Sequence, residues 1–197
     1  QEVYIHNSVN GWAADTAYTG FPAFVNATGA DLGVRIGDVN GDGLPDILKS
    51  KDGTSAVYIN DADGTGWSQD TAYTGLPHFV TSGVEQGARV LDVNGDGLAA
   101  IITSIDNNRH VYVNDGDGTG WTENTAYTLT LDFSGTGSDR GIREGDVNGD
   151  GLGDLVLARS GDGYAIWLND GDDSGWTQST DWTIGLAFVN SAYNDQG

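Results

Sequence analysis

Residues 38–46 read Asp-Val-Asn-Gly-Asp-Gly-Leu-Pro-Asp, and this short acidic stretch returns twice further along the chain. The second copy occupies residues 92–100 and the third occupies residues 146–154, and both begin with the same seven residues. The first residues of successive copies are separated by 54 and 54 positions. A spacing kept this strictly through three copies indicates a chain that is built from tandem repeats.

Tryptophans outside these loops follow the same period. The spacings are 55, 54 and 55 residues between Trp12, Trp67, Trp121 and Trp176. The chain is therefore read as a single repeat array over residues 1–197, with a period of about 54 residues and an incomplete last copy. Its repeats are residues 3–56, 57–110, 111–165 and 166–197.

Each repeat carries the pattern of short β-strands. Residues 33–37 run into the acidic loop, and apolar or β-branched runs follow at residues 47–48, 57–59 and 73–80. Runs of this kind between Gly, Asn and Asp are typical of strands, and the chain has no helical periodicity of useful length. Four strands in each repeat predict an all-β fold of tandem four-stranded β-propeller-type blades, about three and a half of them.

The charge of the chain excludes several classes of partner. It has 29 acidic and 8 basic residues, a formal net charge of −21, and no cysteine. A nucleic-acid-binding protein needs a basic face, and an anionic membrane surface would repel this chain. No run of 18 apolar residues is present, so the sequence also predicts no membrane insertion.

The acidic loops are candidate calcium sites. In the first loop, side-chain oxygens recur at positions 1, 3, 5 and 9, and position 6 is a glycine that permits a sharp turn. Calcium takes 6–8 oxygen ligands in flexible geometry, and position 7 would add a backbone carbonyl, as in an EF-hand loop. The competing interpretation is a hairpin turn rich in Asp and Asn, since both residues favour turns.

These loops resemble those of the FG-GAP and VCBS repeat family, which includes the propellers of integrin α-subunits and many secreted bacterial proteins. The resemblance extends over the whole chain, at about one motif in each 54 residues. It implies that each loop binds calcium within the first hairpin of a blade. The implied ligands are Asp38, Asn40, Asp42, Leu44 (backbone) and Asp46, then Asp92, Asn94, Asp96 and Leu98, then Asp146, Asn148, Asp150, Leu152 and Asp154.

The second loop departs from the pattern at its ninth position. Ala100 stands there in place of the aspartate found in the other two loops. The remaining ligands of that loop are kept, so the sequence predicts about three Ca²⁺ sites, the second weaker than the others.

Two further sets of residues keep one repeat position. The repeated tryptophans are interpreted as packing between blades, and the alternative is a set of platforms for sugars. The arginines at positions 35, 89 and 143 each precede an acidic loop by three residues. They are expected to form structural ion pairs between neighbouring blades, with plain surface arginines as the alternative.

The sequence predicts that the protein is not an enzyme. Its three histidines, His6, His78 and His110, occupy three different repeat positions, so the repeats assemble no Ser/His/Asp or Cys/His constellation. Paired carboxylates could indicate a glycoside hydrolase, but most carboxylates fall in loops that a cation explains.

The resulting expectation is a calcium-binding structural or adhesion protein of the extracellular space or cell surface. A carbohydrate-binding lectin of propeller type is the alternative, because the family includes lectins, adhesins and toxin components. The partner is expected to be a glycan or a cell-surface protein. If blades are counted from residues 33, 87 and 141, one sheet is left unfinished. An unpaired strand edge recruits another strand, so residues 3–5 are expected to pair with a second copy of the chain, head to tail, or with the rest of a longer parent chain.

Overall fold

The computed structural model describes residues 2–7, 11–135, 138–160, 163–182, 185 and 187–189. These residues form eighteen β-strands and no helix, so the all-β prediction is confirmed. In this part of the chain, therefore, no helix is long and apolar enough to cross a membrane.

The chain opens with a two-stranded antiparallel hairpin, which contains residues 3–5 of the edge expected to pair with another chain. Its strands are β1 (Val3–Asn7) and β2 (Gly11–Asp15), and β1 has no second partner strand within the described residues. Pairing of this edge with another chain stays a prediction. A monodisperse monomer near 20.6 kDa in light scattering would contradict it.

Three blades follow, and the four main strands of each pair antiparallel. The first blade contains β3 (Val34–Gly37), β4 (Asp46–Lys51), β5 (Thr54–Asn60) and β6 (Trp67–Asp70), and a small hairpin, β7 (Val80–Thr81) and β8 (Val84–Glu85), extends its sheet. The second contains β9 (Arg89–Leu91), β10 (Ala100–Ile105), β11 (Asn108–Asn114) and β12 (Trp121–Glu123), extended by β13 (Ser134–Gly135) and β14 (Ser138–Asp139). The third contains β15 (Ile142–Gly145), β16 (Asp154–Arg159), β17 (Gly163–Asn169) and β18 (Trp176–Ser179).

Local sequence explains the tight turn between the second and third strands of a blade. Asp52 and Gly53 both adopt positive φ, at 49° and 83°, and Asp106 and Asn107 do the same at 47° and 68°. Two consecutive residues at positive φ match the twist of a two-residue hairpin, and Asp, Asn and Gly are the residues that tolerate it. These turns fix the register of β4 with β5 and of β10 with β11.

The hydrophobic core lies between neighbouring blades. One cluster joins the first and second blades through side chains that include Leu48, Phe79 and Ile101. A second cluster joins the second and third blades through side chains that include Ile102, Phe133 and Leu155. The first strand of the second blade, β9, lies beside both β3 and β15, so the three inner strands line a common axis. Sheets packed face to face around an axis are the blades that the sequence predicted.

The repeated tryptophans pack between blades, as predicted. Each stacks at a tilt on a tyrosine from the preceding connection, with ring centroids 5.5–5.7 Å apart in Tyr18–Trp67, Tyr73–Trp121 and Tyr127–Trp176. A bridge of backbone hydrogen bonds stands beside each pair, at Thr19–Gly66, Thr74–Gly120 and Thr128–Gly175. Trp12 is the exception, with 70% of its surface exposed.

Candidate metal sites in the acidic loops

Each acidic loop connects the first and second strands of a blade, so β3–β4, β9–β10 and β15–β16 carry them. The glycine at the sixth position of each loop adopts a left-handed conformation, with φ of 81° at Gly43, 81° at Gly97 and 88° at Gly151. That conformation is strained for residues with a Cβ, so glycine permits the loop to curl back on itself.

Side chains of the loop cap its own backbone. In the first loop, the Asp38 carboxylate accepts the N–H groups of Gly41 and Gly43, both at 2.8 Å. Asn40 accepts the N–H of Asp42 at 3.0 Å, and Asp42 accepts the N–H of Leu44 at 2.8 Å. The other two loops repeat this arrangement. The turn interpretation of the sequence therefore describes the observed backbone correctly.

The third and fifth positions are joined by a side-chain hydrogen bond in all three loops. Each asparagine amide donates to the aspartate two residues later, over 3.0 Å, 2.9 Å and 2.7 Å in Asn40–Asp42, Asn94–Asp96 and Asn148–Asp150. These side chains are exposed, so a neutral N–H group stands beside an ionised carboxylate at the surface of each loop.

The ninth-position aspartates face inward. Asp46 and Asp154 are fully buried. Asp46 accepts the N–H groups of Val39 at 2.9 Å and Asn60 at 2.8 Å, so it ties the loop to the end of β5. Asp154 makes the equivalent two bonds in the third blade. Sequence reasoning placed these residues with the other ligands and did not anticipate this second attachment.

The carboxylates of the loops differ in their electrostatic surroundings. Burial raises the pKa of Asp46, and the charges of Asp42 and Asp38 add to that increase, while the N–H groups of Asn60 and Val39 oppose it. In the third loop, hydrogen bonds from the Gly151 and Gly149 N–H groups lower the pKa of Asp146.

The next blade holds the first and second loops in place. The Ala99 N–H donates to the Asp38 carbonyl at 2.6 Å, and the Asn114 side chain donates to the Val39 carbonyl at 3.0 Å. The second loop receives the same pair of bonds from Gly153 at 2.7 Å and Asn169 at 2.9 Å. Asn114 and Asn169 were not among the predicted site residues, although their constant repeat position was a signal that could have identified them.

The loop is also fixed by its own blade. The indole N–H groups of Trp67, Trp121 and Trp176 donate to the eighth-position carbonyls, at 2.8 Å to Pro45, 2.7 Å to Ala99 and 2.8 Å to Gly153. The backbone that would present the seventh-position carbonyls of Leu44, Leu98 and Leu152 is therefore anchored at the adjoining residue.

The three repeated arginines, here called the axial arginines, all form ion pairs, and those of Arg89 and Arg143 join neighbouring blades as predicted. They are Arg35, Arg89 and Arg143, and they border a cavity of about 440 Å³ at the common axis. Arg35 forms ion pairs with Asp31 at 3.0 Å and with Glu85, the last residue of β8, at 3.1 Å. Each guanidinium also lies over a phenylalanine ring, at 5.3–5.7 Å from its centroid.

The donor set of each loop suits calcium chemically, although its side chains are arranged as turn caps. Among the described residues, no three His, Cys, Asp or Glu side chains already stand as a group that could hold a metal ion. A carboxylate has about four lone-pair positions, however, so one that caps an N–H can still ligate a cation. The first and third loops offer three carboxylates, an amide oxygen and a carbonyl within nine residues, and the second offers one carboxylate fewer. These are hard oxygen ligands of the kind that calcium prefers.

Comparison with known proteins decides the family. The model of the FG-GAP-like repeat matches residues 38–103 and again residues 92–157, which together span more than half of the 197-residue chain. The chain belongs to the FG-GAP-like repeat family. Each match runs from one acidic loop through the second strand of the next blade, so it includes the loops described above. No curated protein sequence matches this FG-GAP-like repeat protein.

Two solved structures share its fold. One is an Agrocybe aegerita lectin reported for specific recognition of non-reducing terminal N-acetylglucosamine, with 23% identity and a TM-score of 0.61 over 94% of this chain and 47% of the lectin. The other is the Photorhabdus luminescens Tc holotoxin pore, with 19% identity and a TM-score of 0.52 over 79% of this chain and 7% of the toxin chain. The FG-GAP-like repeat protein thus spans about half of the lectin and a small part of the toxin.

Proposed function

We propose that this FG-GAP-like repeat protein is a calcium-stabilised binding protein of the extracellular space or cell surface. The observation that carries the proposal is the threefold recurrence of a loop with five oxygen ligands, or four in the second copy, of which the first two are hydrogen-bonded to the next blade. Repeats of this family are typical of extracellular proteins, where calcium is abundant enough for weak sites to fill. No catalytic step is part of the proposal.

The proposed role of calcium is to hold the blades together. Asp38 and Asp42 carry negative charge at the surface of a loop whose carbonyls accept hydrogen bonds from the next blade. A bound cation would offset the repulsion between these carboxylates and stabilise the backbone that the next blade contacts. The loops therefore link cation binding to blade packing.

Thermal melts test this proposal. Extracellular calcium modules bind with dissociation constants of roughly 10⁻⁴–10⁻³ M, so millimolar calcium contributes about 1 kcal/mol at each site. For a chain of this length, three sites should raise the Tm by about 5 °C or more relative to chelator. Magnesium at the same concentration is the control, since it prefers tighter octahedral geometry. Identical melts in calcium and chelator would reject the proposal.

Substitutions within the loops separate ligation from turn capping. Asp42→Asn keeps an oxygen to accept the Leu44 N–H, yet removes a charge from the first loop. We expect roughly tenfold weaker calcium binding at that loop by calorimetry. In chelator the Tm should fall by about 2 °C or less, because the variant also loses the exposed oxygen that accepts the Asn40 amide.

The second loop supplies the reciprocal variant. Ala100→Asp adds the carboxylate that the other two loops carry, and calcium binding at that loop should become roughly tenfold tighter. The contrary result is an Asp42→Asn protein that binds calcium like the parent and an Ala100→Asp protein that gains nothing.

Carbohydrate binding is the second candidate function, and the likeness to the Agrocybe aegerita lectin favours it. A groove of about 260 Å³ between the first and second blades presents His78, His110 and Tyr112, which combine polar groups with aromatic faces. Such surfaces suit sugars, which offer hydroxyl groups and apolar ring faces. A glycan array probed in calcium and in chelator tests this candidate, and an array without any signal in calcium would contradict it.

A further inference from the structure

The corresponding groove between the second and third blades is lined by three arginines. Arg109 comes from β11, Arg140 directly follows β14, and Arg159 ends β16. The groove has a volume of about 210 Å³, and Asp132 is the acidic residue on its wall. Three positive charges therefore face one negative charge among its lining residues, and a second carboxylate, that of Asp106, lies beside Arg140 outside the lining.

Such a concentration of positive charge is unusual for this chain. It has 8 basic residues and a net charge of −21. Three of the 8 are the axial arginines, and three of the other five meet in this groove. The groove is thus a local cationic site on an acidic protein.

The preceding groove shows that the blade fold does not require these arginines. One repeat earlier in sequence, 54 residues before Arg109, Arg140 and Arg159, stand Ser55, Gln86 and Ile105. Gln86 and Ile105 line the groove between the first and second blades, and no Lys, Arg, Asp or Glu is among its described lining residues. The two grooves are built from equivalent strands of successive blades. If the fold needed arginines at these positions, both grooves would be expected to carry them.

Acidic neighbours orient the guanidiniums of Arg109 and Arg140. Arg109 donates from Nε to Asp132 at 2.8 Å and from Nη2 to Asn107 at 2.9 Å, and Arg140 lies 3.8 Å from Asp106. Their side chains stay 24% and 32% exposed, so a ligand can reach them. A guanidinium held in position loses less conformational entropy when it binds an anion.

The rest of the wall is apolar and hydroxylic. Leu131, Ile142 and Leu157 contribute apolar surface, and Thr130 adds a hydroxyl group. A ligand that fits this wall has an anionic group for the arginines and an apolar face with hydroxyl groups beside it. A sugar ring that carries an acidic substituent meets all three requirements.

We propose that this groove binds an acidic saccharide through its carboxylate or sulfate group. The planar arginine fork matches the oxygens of such groups and forms paired, charge-assisted hydrogen bonds with them. The proposal rests on the binding function proposed above and names a ligand class for it, while calcium binding is measured separately.

Binding measurements on the whole chain in calcium test the groove. The probes are chondroitin sulfate for the sulfated source and polygalacturonate for the carboxylated source, with inorganic sulfate and chitotriose, a neutral N-acetylglucosamine trimer, as comparators. We expect one of the two acidic polymers to bind, and added sodium chloride to weaken it because the contact is ionic.

Matched variants come from the preceding groove. Arg109→Ser, Arg140→Gln and Arg159→Ile place there the residues that the same fold carries one repeat earlier. Each should weaken binding of the acidic polymer at least tenfold, and the triple variant should abolish it, with an unchanged calcium-dependent rise in Tm. Because Arg109 also pairs with Asp132, Arg109→Lys serves as the variant that keeps the charge and should retain more binding than Arg109→Ser.

The outcomes distinguish this inference from the proposed function. If neither acidic polymer bound, or if the triple variant bound as tightly as the parent, the assignment of this groove as the binding site would be wrong. Inorganic sulfate binding as tightly as the polymers would overturn the saccharide assignment. A third outcome is that no acidic polymer binds while chitotriose binds both the parent and the triple variant. That result would reject the acidic-saccharide site but support binding of a neutral glycan elsewhere.

Discussion

Arg89→Ala is expected to destabilise the protein by about 3–4 kcal/mol, near the value for breaking a buried ion pair. The side chain is only 13% exposed. Its guanidinium lies 3.3 Å from Glu144, 3.7 Å from Glu85 and 3.9 Å from Asp139. Removal of the arginine would leave three carboxylates around an empty position in a strongly acidic chain, and their repulsion would add to the lost contacts.

Backbone contacts enlarge the expected effect. Arg89 donates to the Ala88 carbonyl at 3.0 Å and to the Ile142 carbonyl at 3.5 Å, so it connects the second and third blades directly. It also covers the ring of Phe133 at 5.5 Å. Alanine would replace none of these interactions, and the inner strands β9 and β15 would lose their shared cation.

The other axial arginines provide a graded control. Arg143 is 33% exposed, and among the described residues it pairs with one carboxylate, that of Asp139. Arg143→Ala should cost about 1 kcal/mol or less, as exposed ion pairs do. Urea unfolding at fixed calcium measures both variants. Equal costs for Arg89→Ala and Arg143→Ala would show that burial and the number of partners do not govern the axial arginines.

Asp46→Ala should cost about 3–5 kcal/mol even in the absence of calcium. The variant leaves the N–H groups of Val39 and Asn60 without the buried carboxylate that accepts both. A hydrogen bond to a charged group contributes roughly 1.5–3 kcal/mol, and the relief of burying a charge offsets part of that sum. The loop would lose its attachment to the end of β5, so loop position and blade packing should both suffer.

Asp42→Ala in the same loop is the matched control. Asp42 is exposed and accepts two exposed N–H groups, from the Leu44 backbone and the Asn40 side chain, so in chelator its replacement should cost about 1 kcal/mol or less. Urea unfolding in chelator compares the two variants without a contribution from calcium. If Asp46→Ala proved no more costly than Asp42→Ala, the inward-facing carboxylate would have no structural role.

The second blade shows that the fold can form without this carboxylate. Ala100 occupies the equivalent position there and is itself buried. Its strand, β10, places Ile101, Ile102 and Thr103 in the core beside it. We therefore expect Asp46→Ala to lower stability without abolishing the folded state, which makes the measurement practicable.

Sequence alone determined the repeat, the first three strands of each blade and the position of each acidic loop. The fourth strand was expected in the run at residues 73–80 and lies instead at Trp67–Asp70, where pairing with β5 holds it. Period-54 recurrence of Asp38, Asp92 and Asp146 is a local property that needs no coordinates to detect. Alternating apolar residues between Gly, Asn and Asp define strands through backbone preferences that act over a few residues. The axial arginines were also found this way, because a residue repeated in every blade meets its own equivalents around the axis.

Tertiary structure alone decided which partners these residues meet. Asp46 belongs to the acidic motif in sequence, yet in space its carboxylate accepts N–H groups from both Val39 and Asn60. Asn60 lies 14 residues after Asp46. The Val39 carbonyl accepts a hydrogen bond from Asn114, 75 residues away, because the two blades pack face to face.

The cationic groove is likewise formed by residues that only the tertiary structure brings together. Arg109, Arg140 and Arg159 lie 31 and 19 positions apart in sequence and occupy different repeat positions, so no period reveals them. They meet because β11 of one blade faces β16 of the next across the groove. Local preferences fix strands and turns, whereas burial of the apolar faces between blades brings distant side chains together and so decides the sites.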